Sequence, residues 1–183
     1  MAEHCVVVGA GGISNSWFPP LKEEGVEVAA VVDVRPEASR QQIAKYELGA
    51  EASSDLEAML AKHRPDFVLD LTVPEAHRGV TITALHAGYP VIGEKPMAST
   101  MEEAREMVRV SEETGRLYMV SQSRRWEPKH DAVRRTIAGS AIGDVTTVNC
   151  DFFLGAHFGG FRDEMPSPLI LDMAIHHFDL ARF

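Results

Sequence analysis

The chain has 183 residues, 45% of them hydrophobic, and a formal net charge of -9, enough for one well-buried domain and part of another. The acidic balance, with no basic run beyond the pair Arg124 and Arg125, opposes binding to nucleic acid. No apolar stretch nears the roughly 20 residues needed to cross a bilayer, and Cys5 and Cys150 lack C-x-x-C spacing, so a soluble, cytoplasmic protein with reduced thiols and no membrane partner is expected.

Residues 5–8 are β-branched and apolar, but Glu3 and His4 precede them and glycines follow at once, which makes a strand and not a signal sequence. A helix is predicted over about 15–24, with Pro19 early in it or kinking it, and a second strand over 26–32. Helices follow over 36–46, with Pro36 in the first turn, and over 55–63, capped by Ser53 or Ser54. A buried strand over 67–71 closes at Val73 and Pro74, a helix over 76–87 stops at Gly88, and Val91 and Ile92 begin a short strand. Residues 100–114 read as a helix capped by Ser99 or Thr100, with Glu102 and Glu103 in its first turn, where the dipole favours anions. One more strand is expected over 117–121. Repeated strand-helix units of this length imply parallel pairing and right-handed crossovers. The predicted fold class is therefore α/β, a Rossmann-type doubly wound parallel sheet over residues 1–122.

The rhythm then changes. A linking helix is expected over 128–138, a longer alternating strand over 145–154 and an apolar helix over 169–183 that meets no stop signal. Residues 123–183 read as the incomplete start of a second, α+β domain, which predicts a longer natural protein.

The segment Gly9-Ala10-Gly11-Gly12-Ile13-Ser14 matches the dinucleotide fingerprint at its first two glycines and has Ser14 where Gly or Ala is usual. The glycines follow a strand and open a helix, so backbone N–H groups can approach a pyrophosphate with no Cβ in the way. Asp33 ends the second strand about 20 residues later, where a carboxylate accepts both adenosine ribose hydroxyls and repels a 2′-phosphate. NAD is favoured over NADP; Arg35 keeps NADP open, against a plain surface role.

Several motifs in order make the chain resemble the family of glucose-fructose oxidoreductase and inositol dehydrogenase, the Gfo/Idh/MocA oxidoreductases. They are Gly9 to Ser14 with Asp33, Thr72-Val73-Pro74 with His77, Glu94-Lys95-Pro96, Arg124 through Pro128, and Asp172 with His176. The resemblance implies an NAD(P)-dependent dehydrogenase of a polyol, sugar or related hydroxylated molecule, with a C-terminal domain making subunit contacts in a homo-oligomeric longer form. It assigns catalysis to Lys95, Asp172 and His176, and cofactor contacts to Gly9, Gly11, Gly12, Ile13, Asp33, Arg35, Thr72, Pro74, His77, Glu94 and Lys95.

The chemistry of three of these residues stands independently. Alcohol oxidation needs a base for the hydroxyl proton, and an imidazole such as His176, with an ordinary pKa near 6.5, suits it. Asp172, four residues earlier, shares a helix face and can orient the imidazole or bind a substrate hydroxyl. Lys95 can donate to the reacting oxygen and stabilise alkoxide charge, and Pro96 makes the preceding peptide extended or cis.

Other readings stay open. Glu94 positions Lys95, bonds the cofactor or is structural; His77 is a cofactor contact or a packing residue; Trp17 and Phe18 flank the dinucleotide or fill core. One of Arg124 and Arg125 reaches a ligand. His157, Asp163, Asp172, His176, His177 and Asp179 define a rival metal-hydrolase reading, although their spacing fits no tight ligand motif. A non-catalytic dinucleotide-binding module is the other rival.

Overall fold

The computed structural model describes residues 3–153 and 159–183. Contacts divide the chain into two compact units, Met1–Ser121 and Gln122–Phe183.

In the first unit, strands β1 (His4–Val8), β2 (Glu27–Val32), β3 (Glu51–Ser53), β4 (Phe67–Asp70), β5 (Val91–Gly93) and β6 (Tyr118–Val120) form one sheet in the order β3-β2-β1-β4-β5-β6. All neighbouring pairs are parallel. Helices α1 (Ser14–Glu23), α2 (Pro36–Tyr46), α3 (Leu56–His63), α4 (Pro74–His86) and α5 (Met101–Thr114) make the connections. This is the doubly wound Rossmann sheet expected from the strand-helix rhythm.

Period-two geometry sends alternate residues of β1 to opposite faces. Val6 and Val8 enter one core with Leu60 of α3, Leu85 of α4 and Val110 of α5. Cys5 and Val7 enter the other with Phe18 and Leu21 of α1. A sheet covered on both faces needs apolar side chains on both, so β1 reads as a continuous apolar run. Burial pushes the Cys5 thiol up to about 12, leaving it a core residue without nucleophilic character near neutrality.

Local details depart from expectation. Glu51–Ser53 has no apolar run, yet it pairs with Ala30, Val31 and Val32 at the sheet edge, so its strand character comes from its neighbour. The cap of α3 is Asp55, whose carboxylate accepts from the Ala58 N–H, and the Ser53 hydroxyl instead accepts from the Asp55 N–H. Thr100 caps α5 in a reciprocal box with Glu103. Inside α1, Pro19 has no N–H to give the Asn15 carbonyl; the Tyr46 hydroxyl of α2 reaches that oxygen at 3.4 Å.

The second unit holds a 3₁₀ turn (Ser123–Trp126), α6 (Pro128–Ala138), α7 (Phe161–Glu164), a π-helical turn (Leu169–Ala174) and α8 (Ile175–Arg182). The strand expected over 145–154 is absent among its described residues, 145–153. A strand exists only against a hydrogen-bonding neighbour, and no described segment offers one; Val145, Val148 and Phe153 stand exposed. The single helix expected over 169–183 is divided by the π-helical turn, which contains the buried Asp172. Among the described residues no helix is long and apolar enough to cross a membrane.

A polar clasp joins the start of β1 to the segment before β4. The His4 Nε2 lies 3.2 Å from the His63 carbonyl, its Nδ1 lies 2.9 Å from Asp66 Oδ2, and its N–H donates to the same carboxylate oxygen at 2.8 Å. The His63 carbonyl and then Asp66 raise the imidazole above its ordinary 6.5. A raised folded value means this stabilisation is complete below about pH 6.5 and is lost as pH rises through the folded value. We expect a small fall in melting temperature across that window, absent from His4→Gln; equal pH slopes for the two proteins in scanning calorimetry would exclude the clasp as its source.

Candidate functional site

The turn between β1 and α1 is built from three glycines with different duties. Gly9 has φ +100°, and a Cβ there would lie 2.6 Å from both the carbonyl carbon and oxygen of Leu71 and 2.8 Å from Thr72 N, so the fold itself demands glycine. A Cβ on Gly11 or Gly12 would meet no protein atom within 4 Å. Among the described residues, the N–H groups of Gly11, Gly12 and Ile13 donate to no acceptor. Ser14, at the departure from the fingerprint, is fully buried and closes the turn by donating its hydroxyl to the Gly11 carbonyl at 2.7 Å. The result is a helix N-terminus whose three amides have no acceptor among the described residues and whose two glycines put no side chain over them, which fits a pyrophosphate.

Asp33 flanks this turn. Its Oδ2 accepts the Ala10 N–H at 2.8 Å and its Oδ1 accepts the Arg35 N–H at 2.9 Å, leaving acceptor capacity on both oxygens. The Arg35 guanidinium lies 3.7 Å from Oδ1 and is 73% exposed. The arrangement fits a ribose diol beside the pyrophosphate turn.

On the other side of β1, the sheet order turns toward β4. Asp70 ends β4 fully buried: Oδ1 accepts the Thr72 N–H at 3.1 Å and its hydroxyl at 2.6 Å, and Oδ2 stands 3.0 Å from His77 Nδ1. His77, a residue expected to touch the cofactor, is 1% exposed, so its ring is an internal part of this corner. Thr72 is half-buried and Pro74 opens α4 from within the core.

At the end of β5, the Glu94 carboxylate accepts the Trp17 indole N–H at 2.8 Å through Oε1 and the Lys95 N–H at 3.1 Å through Oε2. Glu94 thus ties α1 to the backbone that carries Lys95. Lys95 is half-buried, and its peptide bond to Pro96 is cis. Burial and the Asp70 carboxylate push the Tyr118 phenol well up, so it stays a donor, 3.5 Å from the Met97 carbonyl of the same loop. Phe18 fills core, whereas Trp17 is half-buried beside the turn.

In the second unit, Asp172 and His176 are both buried, 1% and 9% exposed. Arg162 Nε donates to Asp172 Oδ2 at 2.6 Å, a partner that helical spacing does not indicate. Arg125 grips Asp179 through two parallel hydrogen bonds, and the Arg124 carbonyl lies 2.8 Å from His130 Nδ1. His177 packs its ring on Phe152 at 4.8 Å. Among the described residues no three His, Cys, Asp or Glu side chains converge as a metal set; His157, named in the metal reading, lies outside them.

Residues 4–122 match the model of an oxidoreductase family with an NAD-binding Rossmann fold. The chain belongs to the Gfo/Idh/MocA oxidoreductase family. Over nearly its whole length it is 31% identical to a 1,5-anhydro-D-fructose reductase of Ensifer adhaerens, covering 97% of this chain and 55% of that protein. A D-apiose dehydrogenase of Paraburkholderia graminis is 30% identical, covering 97% and 48%. Among solved structures, an oxidoreductase of Agrobacterium radiobacter in complex with NAD+, L-tartaric acid and magnesium matches at TM-score 0.82 and 26% identity, covering 100% of this chain and 54% of that one. The chain spans about half the length of the curated relatives it matches.

One residue of this Gfo/Idh/MocA chain escaped the sequence reading. Asp70 sits in the run Phe67-Val68-Leu69-Asp70-Leu71, taken as one buried strand. A lone carboxylate in such a run is the available signal, because a buried charge must find donors in the fold.

Proposed function

We propose that the protein is an NAD-dependent dehydrogenase that transfers hydride between the nicotinamide and a polyol, sugar or related hydroxylated small molecule. The carrying observation is the β1–α1 turn: three amides without acceptors among the described residues, two glycines that no internal contact requires, and the Asp33 carboxylate alongside. Membership of an NAD-binding oxidoreductase family and similarity to sugar-acting relatives support the same reading.

Gly11, Gly12 and Ile13 bind the pyrophosphate through their N–H groups, and Asp33 accepts the adenosine ribose hydroxyls. Bound NAD supplies the hydride acceptor. Lys95 donates a hydrogen bond to the reacting oxygen and steadies its negative charge as the proton leaves. His176 takes that proton, and Asp172, held by Arg162, orients the imidazole or a substrate hydroxyl. The free thiols Cys5 and Cys150 suit a cytoplasmic enzyme, and a homo-oligomeric longer form completes the proposal.

Calorimetric titration of the chain with NAD and NADP tests the cofactor assignment. Asp33 opposes a 2′-phosphate at close range, whereas Arg35 is exposed and reaches only 3.7 Å from the carboxylate. NAD is expected to bind at least tenfold more tightly, about 1.4 kcal/mol. Tighter NADP binding would reverse the cofactor choice, and no heat from either would remove the redox role.

A further inference from the structure

The corner between β4 and α4 holds a charge that pyrophosphate binding does not use. Asp70 is 0% exposed inside an apolar strand, and an ionised carboxylate is tolerated there only if donors surround it. Its hydrogen-bond donors are the Thr72 N–H at 3.1 Å, the Thr72 hydroxyl at 2.6 Å and the Thr81 hydroxyl at 3.5 Å, and His77 Nδ1 stands 3.0 Å from Oδ2 and 3.3 Å from the Thr72 hydroxyl oxygen. The His77 Nε2 is buried with no hydrogen-bond partner among the described residues, so every polar contact described for the imidazole is to this corner. Such an outlay of buried polar groups asks for a purpose beyond packing.

Thr72 supplies one. Its hydroxyl has a single hydrogen, and the 2.6 Å approach to Asp70 commits it there against 3.4 Å to the Val73 carbonyl. One lone pair of the oxygen faces His77 Nδ1 at 3.3 Å, and the other is left to act as an acceptor. Thr72 N lies 2.8 Å from where a Gly9 Cβ would stand, so the backbone of this residue adjoins the pyrophosphate turn at the point where the sheet order departs from β1 in both directions. Asp33 lies on the β2 side and takes the adenosine half, which leaves the β4 side to the nicotinamide half.

We propose that Asp70, backed by His77, is a positioning residue that locks the Thr72 hydroxyl as a hydrogen-bond acceptor for a donor on the nicotinamide half, a ribose hydroxyl or the carboxamide. The proposal rests on the dinucleotide-binding reading of the first unit. It makes Thr72 selective: the residue discriminates NAD from ligands that end at the pyrophosphate.

The test is calorimetric titration of the chain with NAD and with ADP, which carries the adenosine and pyrophosphate but no nicotinamide half. Thr72→Val is expected to weaken NAD roughly threefold to tenfold, the worth of one hydrogen bond, and to leave ADP unchanged; Thr72→Ser restores NAD affinity. Asp70→Asn is expected to weaken NAD alone, and the double variant to be no weaker than Thr72→Val. The half-buried Thr72 site keeps the proposal falsifiable if Asp70→Asn fails to fold. Equal losses for ADP and NAD in Thr72→Val, or no loss for either, overturns it. A wild-type chain that binds neither ligand overturns the dinucleotide reading and the proposal with it, whereas ADP binding with an unaltered NAD response in Thr72→Val overturns the proposal alone.

Discussion

Gly9→Ala is expected to destabilise the first unit by about 2–6 kcal/mol, while Gly11→Ala leaves stability almost unchanged and lowers dinucleotide affinity instead. At Gly9 two penalties add. A φ of +100° is a conformation that L side chains rarely adopt, with strain on the order of 1–3 kcal/mol. The new Cβ would also lie 2.6 Å from backbone atoms of the buried Leu71, which directly follows β4, and these cannot swing away as a side-chain tip can; overpacking of this kind costs about 1–3 kcal/mol. Small domains are held by about 5–15 kcal/mol, so the substitution removes a large share of the margin. At Gly11 no protein atom stands within 4 Å of the added methyl group. Its only obstacle is a ligand approaching the amides. Urea unfolding followed by circular dichroism, paired with NAD titration, separates the two glycines. A Gly9→Ala protein as stable as wild type, or a Gly11→Ala protein with undiminished NAD affinity, contradicts these assignments.

Lys95→Ala is expected to lower turnover by about a hundredfold to a thousandfold, as the loss of one donor at a developing oxyanion does elsewhere, with NAD affinity little changed. The position is held from several sides. The Lys95 N–H donates to Glu94, the same carboxylate holds the Trp17 indole, and the Tyr118 hydroxyl faces the Met97 carbonyl two residues on. Steady-state rates of the intact protein with inositol and a panel of sugars, read as NADH formation, provide the measurement. A fall in kcat with KM nearly constant marks an interaction made mainly in the transition state. Unchanged turnover would withdraw Lys95 from the chemistry.

Much of this site was legible before any fold was known, and particular residues say why. The Gly9–Ser14 turn and Asp33 are recognisable because a dinucleotide turn is written in contiguous residues between a strand and a helix. Glu94 was open among three roles, and its carboxylate makes two hydrogen bonds, to the Trp17 indole and to the Lys95 N–H. His77 was open between a cofactor contact and a packing residue, and its ring is buried beside Asp70. Asp172 was placed on one helix face with His176, and the bond it accepts from Arg162 Nε was not foreseen. Arg125 was a candidate ligand contact, and its guanidinium grips Asp179.

The alternation of strands and helices, the parallel doubly wound sheet and the glycine turn at its first strand were readable from the residues, because hydrophobic period, caps and backbone freedom are properties of neighbours along the chain. The tertiary structure alone decided which distant groups meet. It made Glu51–Ser53 a strand by lending it β2, left 145–153 unpaired, and gathered Asp70, Thr72, His77 and Thr81 around one buried charge. A carboxylate in an apolar strand announces that donors are needed; only the path of the chain from β4 into α4 supplies them.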